Sequence, residues 1–288
     1  MSTLDHKIDF AVVLSVRNAN PNGDPLNGNR PRQNYDGHGE ISDVCIKRKI
    51  RNRLQDMGES ILVQSDDRRS DGYRSLKDRV EANPEVQAFA KGKNQNSELF
   101  AQAACKSWID VRSFGQVFAF SGTDVSVGVR GPVSIHPAIS LDPIDISSMQ
   151  ITKSVNAVTP KDPNKKSSDT MGMKHRVDFG VYVFYGSINT QLAEKTGFTN
   201  EDAEKIRQAL VTLFENDASS ARPDGSMEVY RVYWWKHKSR MGQYSSAKVH
   251  RSLQIRLKEG VVQPKSVEDY EFAVQPLDGL EVEEYAGV

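Results

Sequence analysis

Residues 8–54 read IDFAVVLSVRNANPNGDPLNGNRPRQNYDGHGEISDVCIKRKIRNRL, and most of the chain's organisation follows from them. The β-branched, apolar run at 8–17 has the composition of a buried central strand, and Asn-Pro-Asn-Gly stops it. The segment from Asn18 to Gly39 holds Gly23, Gly28, Gly37, Gly39 and three prolines. It is longer than a plain connection needs, and long loops of this kind carry function. Ser42 or Asp43 then caps a helix with an expected apolar stripe of Val44, Ile50, Leu54 and Met57, with Lys47 and Arg51 on an adjacent face. Five of the seven residues from Lys47 to Arg53 are Lys or Arg, with no acidic residue among them. A cluster of this kind in a near-neutral chain points to a phosphate-binding surface.

The chain has 288 residues with 38 basic and 38 acidic side chains, so the formal net charge is zero. The charges are segregated: residues 229–258 hold eight Lys/Arg and no Asp/Glu, and residues 268–284 hold seven Asp/Glu and no Lys/Arg. The acidic stretch is expected to be a solvated C-terminal tail over 268–288. Cys45 and Cys105 lie far apart, with no CxxC spacing and no neighbouring His, which excludes a disulfide framework or a zinc signature. No apolar run approaches the ~20 residues of a membrane span. The opening MSTLDHKIDF lacks the build of a secretory signal. A cytoplasmic protein with no membrane contact is the expectation.

Further along, residues 64–79 are charged and expected to be mobile. Helical spacing returns at Leu99, Phe100, Ala103, Ala104 and Trp108. Strand patterning covers 125–136, 144–155, 177–188, 227–235 and 252–258. Residues 155–176, poor in apolar side chains, read as a protruding loop or hairpin tip. Thr199 to Asp202 form a capping box ahead of a helix with Ala203, Ile206, Leu210, Leu213 and Phe214 on one face. Two β-α-β-type halves with insertions predict one α+β domain over 1–288 with a ferredoxin-like core, the class that includes the RNA-recognition (RRM-like) fold.

Clustered cations and interleaved aromatics suit a single-stranded nucleic acid held by its phosphates. The N-terminal candidates are Arg17, Arg30, Arg32, Lys47, Arg48, Lys49, Arg51 and Arg53, with Asn18 at the strand–loop junction. The C-terminal candidates are Arg231, Lys236, Lys238, Arg240, Lys248 and Arg251, among Tyr230, Tyr233, Trp234, Trp235 and Tyr244. A solvated charged face is the plain alternative for either run. A nuclease would draw on Asp24, Asp36, Asp43, His38 or His175, although turn formation and helix capping account for the three aspartates. No His spacing matches a metal site, and NPNGDPLNGNRP lacks both the P-loop ending and the dinucleotide fingerprint. Neither metal nor cofactor is expected.

Several motifs together resemble a known family. NPNGDP at 20–25, GNRPR at 28–32, SDVCIKRKIRNRL at 42–54, DVRSFGQVF at 110–118, VRGPVSI at 129–135 and SDTMGMKHRVDFGVY at 168–182 are similar to the backbone subunit of type I-C CRISPR Cascade (the Csd-two/Csh-two family). The resemblance implies an RRM-like core with a helical finger insertion, placed at 57–109, and a thumb-like β-hairpin or loop protrusion at 154–176. It implies a non-enzymatic protein whose copies polymerise along the crRNA spacer. Base edges are thereby left free to pair with a target DNA strand. The implied partners are crRNA, neighbouring copies, the other Cascade subunits (cap/processing, large and small) and a recruited helicase-nuclease. Carried onto this chain, Asn20, Asn22, Arg30, Lys47, Arg48, Lys49 and Arg51 would line the RNA path. Arg112, Phe114, Gly115 and Arg130 would lie near it. Met171 would be the base wedge, with Lys174, His175 and Arg176 on phosphates. The chain departs from the family at Met173, where a basic residue is common, and at Leu26 and Gln33-Asn34, where acidic residues are frequent. Two rivals remain open: an RNA-processing endoribonuclease, and a generic single-stranded RNA binder.

Overall fold

The first apolar run folds as β1 (Ile8–Ala19), a strand covered on both faces. Phe10, Val12, Leu14 and Val16 enter one hydrophobic cluster, and Ala11 and Val13 enter another. Strand alternation produces this division, and the β-branched composition suits it. The computed structural model describes residues 2–90, 95–120, 126–155 and 171–288.

After β1 the expected loop is itself organised. Strands β2 (Gly23–Asp24) and β3 (Arg30–Pro31) form a short antiparallel rung, and β4 (His38–Ile41) joins the main sheet. Helix α1 (Asp43–Asp56) starts at Ser42, whose side chain accepts from the Cys45 N–H. Its buried stripe is Ile46, Ile50 and Leu54; Val44, expected on that stripe, is exposed. Helices α2 (Leu76–Glu81), α3 (Pro84–Gln87), α4 (Ser97–Ser107) and α5 (Ile109–Phe114) follow. The hairpin of β5 (Gly115–Ala119) and β6 (Ser126–Arg130) packs with them around a separate core of Leu62, Val80, Phe100, Trp108 and Phe118. Residues 64–79, expected to be mobile, are folded here. Arg79 is buried, pairs with Asp71 and donates to the Leu62 carbonyl, which fixes the segment.

Strands β7 (Val133–Ile135), β8 (Ala138–Pro143) and β9 (Ile146–Thr152) all pair with the long β10 (Met171–Ile188). Then come α6 (Thr190–Thr196), α7 (Asn200–Val211) with the Thr199/Asp202 capping box, β11 (Met227–Lys236), α8 (Ser246–His250), β12 (Leu253–Leu257), β13 (Tyr270–Val274) and β14 (Val282–Ala286). The main antiparallel sheet runs β14-β11-β1-β10-β8-β4. Helices α1 and α7 pack on one face; α8 and the β12–β13 hairpin cover part of the other.

Two details shape the surface that follows. Asn18 sits at φ 53°, a left-handed value that Asn tolerates. The β1–β10 register passes there from Arg17 opposite Phe179 to Ala19 opposite Val177, and the latter pair rejoins the first cluster. In mid-sheet, Asp9 is fully buried. Its Oδ2 lies 2.8 Å from His237 Nε2 and 3.0 Å from Lys7 Nζ.

The acidic stretch is not a solvated tail. Tyr270, Phe272 and Val274 give β13 an apolar side, and β14 pairs with β11 while Glu283 and Glu284 reach Lys236 and Arg231. No helix among the described residues is long and apolar enough to cross a membrane.

Candidate nucleic-acid interface

The basic run of α1 is largely committed within the molecule. Lys47 pairs with Asp43 one turn earlier at 3.0 Å. Lys49 is 4% exposed, bonded to Asp217 and set over the Phe214 ring. Arg51 Nε donates to Asp110 at 3.1 Å and its guanidinium lies over Phe114, while Arg53 pairs with Glu215. Arg48 donates to the Val63 carbonyl at 2.6 Å. Burial pushes Lys49 below the ordinary lysine range despite Asp217. Burial, with Arg51 next to it, likewise lowers Arg48. Helical phase sends these side chains to several faces, and the carboxylates that meet them lie up to 168 positions away. No local spacing rule finds such partners.

The loop asparagines are structural ties. Asn20 is buried and donates to the Asn29 carbonyl at 2.7 Å. Asn22 Oδ1 accepts from both the Ser42 backbone N–H and its hydroxyl at 2.9 Å, which seats the loop on the start of α1. Asn18 is exposed at the strand's bend.

A second expected group lies around α5. Arg112 makes two bonds to Asp202, at 2.9 and 2.7 Å, and so joins α5 to the capping box of α7. Phe114 is half-buried beneath Arg51. Gly115 has φ 82°, and a Cβ there would stand 2.3 Å from the Val129 carbonyl oxygen, so only glycine fits. That close crossing places Arg130 at the end of β6, exposed and without an ion pair among the described residues.

The loop and the β9–β10 ribbon meet at Arg30. Its Nη1 donates to Ser148 Oγ at 2.9 Å and lies 3.5 Å from His175 Nδ1, which is itself 2.8 Å from Ser148 Oγ. Cross-strand partners share a face, so register sorts the rest of the ribbon. Ser148/His175, Gln150/Met173 and Thr152/Met171 lie on one side. Met149/Lys174, Ile151/Gly172 and Ser147/Arg176 lie on the other. Met171 and Met173 are 63% and 56% exposed, and Gln150 Nε2 donates to Met171 Sδ at 3.2 Å. One face thus presents a guanidinium, an imidazole and two thioethers, while Lys174 and Arg176 belong to the reverse face. Arg176 stands 3.7 Å from Asp178. Residues 156–170, the expected tip of the protrusion, lie outside the described residues.

Elsewhere, Arg17 donates to the Lys265 carbonyl at 2.5 Å and lies over Phe179. Lys236 sits between Glu204 and Glu283, and Arg240 pairs with Glu194, whereas Lys238 is exposed. Among the residues considered for hydrolysis, Asp24 accepts from the Leu26 N–H as a turn cap and Asp36 sits in an exposed turn. No three His, Cys, Asp or Glu among the described residues are grouped to hold a metal ion. The Arg30 face uses one of five guanidinium N–H groups on Ser148, leaving donors for an anion beside apolar surface for a base. Sequence reading singled out Arg30, His175 and Met171 separately. It missed Ser148 and Met173, whose place on that face only strand register reveals.

A family model described as "CRISPR-associated protein Cas7" matches residues 6–275. A Haloferax volcanii protein described as "CRISPR-associated protein Cas7" is 26% identical over 235 residues, covering 76% of this chain and 67% of its own. A chain of a "CRISPR RNA-guided surveillance complex, pre-nicking" has TM-score 0.48 and 18% identity, covering 80% of this chain and 78% of its own. A chain of a "CRISPR RNA-guided surveillance complex" has TM-score 0.46 and 14% identity, covering 80% and 68%.

Proposed function

The chain belongs to the Cas7 family of CRISPR-associated proteins, and from that premise we propose that it is a backbone subunit holding a CRISPR guide RNA by its sugar–phosphate chain. The family match across residues 6–275 is the observation that carries this reading. The Arg30–Ser148–His175 junction, with Met171 and Met173 beside it, gives the reading a place on the molecule. There a phosphate meets Arg30 and His175, and a base rests on the thioethers. Arg130, exposed and without an ion pair among the described residues, and Lys174 on the ribbon's reverse face are further cations open to phosphates.

The finer parts of the proposal have their own supports. Strand order β11-β1-β10-β8 with α1 and α7 on one face supports an RRM-like core. The β9–β10 ribbon supports a thumb, and the separate core around α2–α5 supports a finger region. The motifs at 20–54 and 168–182 support the type I-C subtype. On this proposal copies line up along the spacer, bases stay available to target DNA, and the other Cascade subunits and a helicase-nuclease act around them in the cytoplasm. On this proposal the subunit is non-catalytic: the Asp24 carboxylate caps the turn at Leu26 and His175 is held beside Ser148 and Arg30.

Binding of end-labelled single-stranded RNAs of unrelated sequence, measured between 50 and 200 mM salt, tests this. The expected result is similar affinity for each RNA, intact RNA after incubation, and a salt slope that Arg30→Ala lowers by about 0.7. Cleavage products, or a slope unchanged by Arg30→Ala, contradict it.

A further inference from the structure

The contacts at the Arg30–Ser148–His175 junction fix where its hydrogens lie. A guanidinium only donates. Arg30 Nη1, 2.9 Å from Ser148 Oγ and 3.5 Å from His175 Nδ1, therefore meets a lone pair on each. The Ser148 hydroxyl gives its own hydrogen to His175 Nδ1 at 2.8 Å, and the ring proton is left on Nε2. That nitrogen is not buried and has no protein partner among the described residues. It offers an uncharged N–H. One step along the same face stand Gln150 and Met173, and one step further Thr152 and Met171. Gln150 is exposed, and its Nε2 donates to Met171 Sδ at 3.2 Å. A thioether accepts and cannot donate, so the amide nitrogen faces the sulfur and Oε1 is left to accept.

Same-face positions on a strand are two residues apart, about 7 Å. With a phosphate at Arg30 and a base on the thioethers, the sugar that joins them falls over the step between His175 and Gln150. That step carries one donor and one acceptor, both uncharged. A phosphate only accepts and has nothing for Gln150 Oε1, whereas a hydroxyl donates and accepts. The backbone group that does both is the ribose 2′-hydroxyl, which distinguishes RNA from DNA.

We propose that His175 and Gln150 read the ribose 2′-hydroxyl and so select RNA over DNA, with Ser148 as the positioning residue that holds the His175 tautomer. The inference rests on the proposed guide-RNA site and adds the sugar contact to it. His175 Nε2–H donates to the hydroxyl oxygen, and the hydroxyl hydrogen goes to Gln150 Oε1. Arg30 on the phosphate is indifferent to the sugar, so charge supplies affinity and two uncharged groups supply the selection.

The test titrates the full chain with a single-stranded RNA, the DNA of the same sequence and the 2′-O-methyl RNA. The RNA-to-DNA affinity ratio is compared between parent and variants, which cancels differences between the free strands. A net hydrogen bond corresponds to a factor of roughly 3–10, and His175→Ala and Gln150→Ala should each lower the ratio by that factor. Ser148→Ala should lower it as well, and Ser148→Thr, which keeps the hydroxyl, should restore it. A 2′-O-methyl group keeps the acceptor and loses the hydrogen, so Gln150→Ala should not weaken binding of that strand further. The parent ratio retained in His175→Ala, Gln150→Ala or Ser148→Ala, or a Ser148→Thr ratio as low as that of Ser148→Ala, overturns the assignment. Arg30→Ala separates the two failures. A salt slope that it still lowers, beside unchanged ratios, removes only the sugar contact; a slope that it leaves unchanged removes the functional reading.

Discussion

Lys49 and Arg30 lie nineteen positions apart and look alike in composition, yet the fold gives them opposite work. Lys49 is enclosed between Asp217 and Phe214, whereas Arg30 stands at a surface junction with donors to spare. Removing one partner of a buried pair leaves the other charge uncompensated, so Lys49→Ala should cost about 3–5 kcal/mol of stability. A lower unfolding midpoint with an unchanged salt slope of RNA binding is the expected pair of readings. A reduced slope at constant stability would return Lys49 to the RNA surface. The basic run was legible in the sequence as a charge cluster, but its partners were not. Asp110 and Asp217 are far away in the chain, and side-chain spacing within one helix carries no information about them.

At the scale of elements, the ribbon of β9 and β10 is the part whose exposure most needs explaining. Met149, Ile151, Met171 and Met173 all remain exposed on these two strands, with no apolar layer over them among the described residues. Such surface contributes little to folding and suits contact with another molecule. Met171→Ser with Met173→Ser should leave the unfolding midpoint within about 0.5 kcal/mol of the parent. It should weaken single-stranded RNA binding about tenfold, the loss of one stacked base. Equal affinity would clear the methionines of that role. In the sheet's interior, burial works to raise the Asp9 carboxyl, but the His237 hydrogen bond and the Lys7 charge outweigh it and hold it below 3.8. Its contribution to stability is therefore complete above the unfolded value and is lost as pH falls through the lower, folded value. Denaturation midpoints measured from pH 5 downward should fall more steeply for the parent than for Asp9→Asn. Parallel curves would contradict the assignment. Sequence periodicity found β1, α1, α4, α7, β11 and β12 because each carries its own apolar pattern. It misread 268–284, where seven acidic residues outnumber the alternating Tyr270, Phe272 and Val274 that build β13 and the Val282 that opens β14.

For the whole molecule, a neutral total hides an internal neutralisation that is selective. Cations of α1, α5 and β11 meet carboxylates within the fold, while Arg30, Arg130, Lys174 and Lys238 have no ion pair among the described residues. The α+β class and the alternation of strands with helices were readable from 8–54 and 177–236. The placement of β7, β8 and β9 on one long partner strand was not, because pairing across the chain depends on sheet register. The central claim, a Cas7 subunit that sheathes guide RNA without reading or cutting it, is most directly tested by purifying the chain from its native cells with whatever proteins and RNA accompany it. The bound RNA is then sized and sequenced. Uniform guide RNAs, protected along the spacer in a particle with many copies of this chain, are the predicted result. Heterogeneous cellular RNA, no RNA, or guides shortened only when this subunit is present would contradict it.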